Sequence, residues 1–250
     1  MIDFHSHILP AIDDGASDME TSISMLAKSR DDGVKTIVST SHCFPAEENS
    51  VADFLKNQKI AYDNLCIKED KKLKDFPQII LGCELHMVDG VSKLPDLEKL
   101  CVKDTNYILL EMPYSSWTDN AYEEVYQIIR RGLRPIIAHL DRYVGQESKF
   151  HELLALNVLF QINTSAFIEG NNGKRLLTWF RNDSIHVIGS DMHNLSTRPP
   201  NLKEAYDIIH NKYGWEYVDF LMHNSDRILR NKTALPTRLP RPNIIKRMFL

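Results

Sequence analysis

At 250 residues, with 43% hydrophobic and 26% charged positions, the chain has a globular composition and a length at which one α/β barrel is common. A net charge of −4 offers no basic surface for a phosphate backbone, and no apolar run approaches the ~20 residues of a membrane span, so neither a nucleic-acid binder nor an integral membrane protein is expected. The first residues lack the basic region and apolar core of an export signal, and Cys43, Cys66, Cys83 and Cys101 are scattered without a CxxC pair; a cytoplasmic protein with reduced thiols is expected.

In chain order, residues 1–7 (MIDFHSH) read as a strand whose alternation sends His5 and His7 to one face, toward one spot. Asp13-Asp14-Gly15 follows as a turn. Ser17-Asp18-Met19-Glu20 has the capping-box pattern and opens a helix to about Asp32, with Met19, Ile23, Leu26 and Ala27 as its apolar stripe and Gly33 as its stop. Residues 35–40 (KTIVST) form a second strand delivering His42. A helix over about 50–70 and a lysine-rich turn lead to a third, 78–83 (QIILGC), delivering Glu84. The fourth, 107–110 (YILL), delivers Glu111, and a helix over 120–131 closes at Gly132.

The second half repeats the scheme. A fifth strand, 135–138 (PIIA), delivers His139, and a helix near 150–156 leads to a sixth, 158–163 (VLFQIN). A helix at 173–181 precedes the seventh, 185–190 (IHVIGS), after which come Asp191 and His193; helices over 201–212 and 215–229 complete the pattern. Short, continuously apolar strands alternating with helices predict parallel strands buried on both faces. Seven units are one short of the usual barrel, so the expected fold is α/β, a distorted (β/α)7 TIM-like barrel, with an open doubly wound sheet as the alternative. No G-x-G-x-x-G or P-loop supports nucleotide binding. Residues 1–232 make the barrel. The Pro-rich, basic stretch 233–250 reads as a separate tail, either a strap along the barrel or a docking arm.

The strand ends carry the chemistry. His5, His7, His42, Glu84, Glu111, His139, Asp191 and His193 all fall at C-terminal ends of strands, the face where barrel active sites lie, and Asp14 can reach it from the first loop. Each alone has an ordinary explanation as a satisfied polar group or a turn residue; nine together exceed what one ion needs and suit two or three, since a carboxylate can bridge. Imidazole and carboxylate without thiolate suit manganese, iron or zinc. His86 could support the centre or face substrate. His151, His210 and His223 lie in helices, and His186 opens the seventh strand at the wrong end. Arg142 and Arg198 follow His139 and His193 closely, and guanidiniums beside metals point to a phosphate ester.

The strings IDFHSHI (2–8), IVSTSH (37–42), GCE (82–84), LEMPY (110–114), IIAHLDRY (136–143) and IGSDMHN (188–194) resemble the polymerase-and-histidinol-phosphatase (PHP) superfamily. More closely, they resemble its bacterial protein-tyrosine phosphatases of capsule and exopolysaccharide synthesis, over about residues 1–230. The resemblance implies a PHP-type barrel with a trinuclear, usually manganese-dependent centre. One ion would take His5, His7, Glu84 and Asp191, a second Glu84, Glu111 and His139, and a third Asp14, His42 and His193. Arg142 and Arg198 would grip the phosphate. The implied substrate is the phosphotyrosine tail of a cognate autokinase. Alternatives are a small ester such as histidinol phosphate, or a scaffold that binds phosphotyrosine without turnover. A cysteine mechanism is disfavoured: an H-C-x5-R loop at His42-Cys43 would need arginine at 49, where Asn49 stands beside Glu47 and Glu48.

Overall fold

A computed structural model of the chain describes residues 1–45, 51–68, 75–114, 117–170, 173–182 and 184–236. The expected lysine-rich turn over 70–74, residues 47–49 and the tail beyond Pro236 lie outside these. Nine strand segments, β1 (Ile2–Ser6), β2 (Thr36–Ser39), β3 (His42–Cys43), β4 (Gln78–Leu81), β5 (Glu84–His86), β6 (Tyr107–Glu111), β7 (Arg134–Ile137), β8 (Leu159–Asn163) and β9 (Val187–Gly189), all pair in parallel. They occupy seven strand positions, because β2 and β3, and likewise β4 and β5, are single strands broken for two residues. One sheet runs β1-β2-β4 and the other β3-β5-β6-β7-β8-β9. The cylinder closes where Ser6 bridges Met192 and Asp191 N–H donates to His5 O at 2.8 Å.

The helices α1 (Met19–Asp31), α2 (Val51–Lys68), α3 (Asp119–Arg130), α4 (Glu147–Ala155), α5 (Ser165–Ile168), α6 (Gly173–Arg181), α7 (Leu202–Tyr213) and α8 (Trp215–Leu229) fill the connections. α1 starts one residue later than a Ser17 capping box implies: Asp18 caps it by accepting from Thr21 N–H at 2.8 Å, and Ser17 only supports Asp18. The carboxylate is the stronger acceptor for a helix N-terminus. Gly33 stops the helix at φ 82, in the left-handed region. Among the described residues, α5 and the short 3-10 turns at Val91–Lys93, Leu97–Leu100 and Leu140–Arg142 carry no periodicity a sequence could reveal.

Inside the cylinder, Phe4, Val38, Tyr107, Leu109, Ile136, Ala138 and Val187 form a core, closed from below by Ile228 of α8. Removing the fully buried Phe4 ring would cost about 3–5 kcal/mol. β1 contains a bulge. Ile2 pairs with Thr36 and Asp3 with Ile37, but Ser6 pairs with Ser39, so one extra residue lies between Asp3 and Ser6. Phe4 therefore joins the interior core while His5 and His7, past the bulge, also turn inward above it. Gly189 makes room: a Cβ there would lie 2.3 Å from His5 Cβ.

The floor is laced by the chain after α8. Tyr107 OH donates to Lys232 O at 2.9 Å, Arg227 Nε to Thr233 O at 2.7 Å, and Leu235 N–H to Asn224 Oδ1 at 2.8 Å. Among the described residues, no helix is long and apolar enough to cross a membrane.

Candidate metal centre

All nine metal-capable side chains singled out from the sequence meet at the C-terminal rim of the barrel, in four overlapping groups: His5–His7–Glu84, His5–His139–Asp191, His42–Glu84–Glu111, and His7–Asp14–His42–His193. The groups divide the residues differently from the ion-by-ion pattern of the resemblance. Glu111 sits with His42, and His139 with His5 and Asp191.

Glu84 is at the middle. Its Oε2 lies 3.0 Å from His5 Nε2, 3.2 Å from His7 Nε2 and 3.3 Å from His42 Nδ1, and its Oε1 lies 2.5 Å from His139 Nε2. Asp191 Oδ1 is 3.5 Å from both His5 Nε2 and His7 Nε2, which are themselves 3.2 Å apart. A tetrahedral ion with bonds of about 2.1 Å spaces its ligand atoms about 3.4 Å apart, so these separations suit a shared cation. On the far side, Asp14 Oδ1 is 3.5 Å from His42 Nε2 and 3.3 Å from His193 Nε2.

The donor set tests whether a cation fits. Asp191 Oδ1, His42 Nδ1 and His193 Nε2 are buried without a hydrogen-bond partner, and each faces other ligand-type atoms. Buried polar atoms are otherwise nearly always satisfied. Five carboxylates (Asp13, Asp14, Glu84, Glu111 and Asp191) face only two guanidiniums here, Arg142 and Arg198. Divalent cations would meet both deficits.

Titration follows from this crowding. Burial pushes the Glu84 carboxyl up, but the His5 and His139 imidazoles outweigh it and hold Glu84 well below the usual range. Asp191 is likewise depressed, with burial opposed by His5, His139, His7 and Arg198. Burial disfavours charge on His7, yet Asp13 and Glu84 raise it to about 10. Burial, then His7 and Arg198, push His193 down to about 4. Perturbation in both directions within one cluster is characteristic of functional sites.

Residues the sequence reading passed over orient the imidazoles. Asp13 Oδ2 accepts from His7 Nδ1–H at 2.7 Å and His42 N–H at 2.9 Å. Gln161 Oε1 accepts from His5 Nδ1–H at 3.1 Å and His139 N–H at 3.0 Å. Asn163 Oδ1 takes His139 Nδ1–H at 3.1 Å, while its Nδ2 donates to Asp191 Oδ2 at 3.0 Å. His193 Nδ1–H goes to Asp191 O at 2.9 Å. Four imidazoles thus spend Nδ1–H on an acceptor and turn Nε2 inward, the tautomer a cation requires. Gln161 and Asn163 were readable in principle: they are polar, two apart, and end an otherwise apolar strand. His139 and Asp191 both adopt φ 55, a left-handed backbone that non-glycine residues rarely take and that clusters at functional sites.

Arg142 and Arg198 converge on one carboxylate. Both reach Asp191 Oδ2, at 2.8 and 2.5 Å, with Arg142 also 3.5 Å from Glu111. His86 Nδ1 lies 3.1 Å from Glu111 Oε2, a supporting position. His151, His210 and His223 sit on exposed helix faces. His186, fully apart from the rim, accepts from Phe160 N–H at 3.0 Å, and burial lowers it to about 4. The Cys43 thiol is pulled down by a hydrogen bond with Cys83 against the opposing effect of burial, but it is only 2% exposed.

A parallel barrel with imidazoles, carboxylates and guanidiniums gathered on its C-terminal rim defines a metal-dependent hydrolase. The chain belongs to the capsular polysaccharide synthesis family CpsB/CapC, whose model matches residues 1–230. It is 36% identical to the tyrosine-protein phosphatase CpsB of Streptococcus pneumoniae, covering 86% of this chain and 91% of that protein. It is 33% identical to the tyrosine-protein phosphatase YwqE of Bacillus subtilis, covering 100% and 98% respectively. A solved structure from work on YwqE and CpsB, described as unique metal-dependent tyrosine phosphatases, superposes with a TM-score of 0.81 at 31% identity, covering 96% of this chain and 100% of that one.

Proposed function

We propose that the protein is a metal-dependent protein-tyrosine phosphatase, acting on the tyrosine-phosphorylated tail of a cognate autokinase that governs capsular or exopolysaccharide synthesis. The observation that carries this reading is the rim cluster: nine ligand-type side chains with unpartnered buried atoms, flanked by two guanidiniums on one carboxylate. His5, His7, Asp14, His42, Glu84, Glu111, His139, Asp191 and His193 would hold two or three divalent ions, with manganese the first candidate for this nitrogen–oxygen donor set. When bound, the ions supply Lewis-acid polarisation of the phosphoryl group and a water acidified toward a pKa of about 7.

The chain's own residues do the rest. Arg142 and Arg198 bind the equatorial phosphate oxygens through N–H groups not spent on Asp191 and offset charge as it builds in the transition state. Asp191, held by both guanidiniums and by Asn163, keeps them aimed at the rim. Asp13, Gln161 and Asn163 hold the Nδ1–H of His7, His5 and His139, so the inward Nε2 of each is the nitrogen a cation would take once any proton there is displaced. Cys43 takes no part. The catalytic unit is residues 1–232, with the segment from Thr233 to Pro236 lying along its floor, and the protein works in the cytoplasm.

The deciding experiment is phosphate release from a phosphotyrosine peptide after chelation and again after adding back manganese, with thiols alkylated. Release restored by manganese and indifferent to alkylation is expected. No release with any divalent ion, or loss on alkylation, would refute the reading; faster turnover of histidinol phosphate would move the substrate.

A further inference from the structure

The end of the barrel away from the candidate centre holds a cavity of about 880 Å³, where β7, β8 and β9 begin. Its walls are mostly aliphatic: Ile129 in the last turn of α3, Leu133 just past it, Leu154 and Leu156 at the end of α4, Val158 ahead of β8, and Leu235 of the chain after α8. That last segment walls the cavity without filling it, since the Asn224 side chain holds the Leu235 backbone at both N–H and O while the Leu235 side chain stays 39% exposed. The volume falls within the roughly 300–1,000 Å³ of small-ligand pockets.

Two polar groups interrupt the aliphatic lining. Arg134, the first residue of β7, is half-buried. Its Nη1 is divided between Tyr107 OH and Asn231 O, both at 3.4 Å, and its Cζ lies 5.3 Å from the Tyr107 ring centroid. Among the described residues, its Nε and Nη2 have no hydrogen-bond partner and no carboxylate pairs with it. His186 is 5% exposed and uses Nδ1 to accept Phe160 N–H at 3.0 Å, so its neutral ring carries the proton on Nε2, which has no partner among the described residues either. Burial holds His186 down to about 4, so near neutral pH it adds a donor and not a charge. No Asp or Glu is among the described lining residues, which leaves Arg134 as the one fixed charge.

We propose that this cavity binds a small aliphatic monoacid, with its carboxylate on Arg134 and its hydrocarbon chain along Ile129, Leu154 and Leu156. A guanidinium fork matches a carboxylate in shape, and one unpaired positive charge matches a monoanion better than a phosphate dianion. A peptide would bring N–H and C=O groups that aliphatic walls leave without partners, whereas a hydrocarbon chain needs none. The site lies at the opposite end of the barrel from the rim cluster and does not depend on the phosphatase reading.

The test is calorimetric titration of the full chain with octanoate, octan-1-ol and octylammonium, which share one hydrocarbon tail. Wild type should bind octanoate at least about tenfold more tightly than either of the others, equally with manganese loaded and with metal stripped. Arg134→Met keeps an apolar stem and should bring octanoate to within about twofold of octan-1-ol. Leu156→Trp, at a partly buried position, should weaken both by about fivefold or more by filling the cavity. Octanoate bound no more tightly than octan-1-ol by wild type overturns the site, as does an octanoate affinity unchanged in both variants. Binding that requires manganese would place the carboxylate on the metal centre and overturn it too.

Discussion

Asp13→Asn is the sharpest test of how the centre is held. The wild-type carboxylate accepts three hydrogen bonds, from His7 Nδ1–H at 2.7 Å, His42 N–H at 2.9 Å and Gly15 N–H at 3.0 Å. An amide has one acceptor oxygen, so at least one N–H must face an NH₂ group: Gly15 N–H if the oxygen takes the Oδ2 position, His42 N–H as well as His7 if the nitrogen does. If the amide nitrogen turns toward His7, the imidazole must become the acceptor at Nδ1 and carry its proton on Nε2. That is the nitrogen facing His5, Glu84 and Asp191, and once protonated it has no lone pair for a cation. If the oxygen turns toward His7, Gly15 N–H is left facing a donor, at a cost of about 1–3 kcal/mol. Partners of this kind are worth about 10–100-fold in metal affinity, or about 1.4–2.7 kcal/mol. Calorimetric titration of chelator-stripped protein with manganese should show that loss, and thermal unfolding without metal should separate it from the stability cost. Unchanged metal affinity in a folded variant would refute the argument that Asp13 sets the His7 tautomer.

Gly189→Ala should destabilise the barrel by about 3 kcal/mol or more in chemical denaturation, since a Cβ 2.3 Å from His5 Cβ exceeds ordinary overpacking, and it should weaken metal binding through His5. Arg142→Ala and Arg198→Ala should each lower kcat/KM on a phosphotyrosine peptide about 10²–10³-fold while metal stoichiometry is retained. Equal activity would remove them from the phosphate site. Metal affinity should rise with pH. His7, raised to about 10 by Asp13 and Glu84 against burial, holds a proton below that pH that a cation must displace, so the apparent Kd should fall up to about tenfold per unit across neutral pH. Titrations in buffers of different ionisation enthalpy should show proton release, and a pH-independent Kd would exclude His7 as a ligand. Metal-free stability should move the other way through His7, whose favourable protonation is lost as pH climbs from about 6.5 toward 10.

The seven strand positions were legible because each apolar run is short and β-rich, and all but the sixth, which ends in Gln161 and Asn163, lead into a histidine or a carboxylate. The rim set was legible for the same reason. What stayed hidden depends on two strands at once. The bulge in β1 is a matter of register between Ile2–Ser6 and Thr36–Ser39; simple alternation cannot put both Phe4 and His5 inside the barrel. Adjacent Asp13 and Asp14 are equivalent on paper, yet the fold sends one to imidazole Nδ1 and the other to inward nitrogens. The breaks at 40–41 and 82–83, where the first sheet hands over to the second, have no local signature.

The barrel's seam has a consequence for how the chain is made. Ser190 N–H donates to Asp3 Oδ1 at 2.8 Å across 187 residues of sequence, and Asp191 N–H to His5 O at 2.8 Å. His5 and His7 leave the ribosome ahead of Asp191 and His193, which follow about 10–40 s later at ordinary elongation rates. Through that interval the nascent chain presents an unfinished His-x-His hook, with its bulge unsupported and the space opposite Gly189 unfilled. Only when β9 docks against β1 do His5, His7, Glu84 and Asp191 become one group. Enclosure of a cation by that group would therefore mark a chain synthesised past β9, and a polypeptide stalled before β9 could not achieve it.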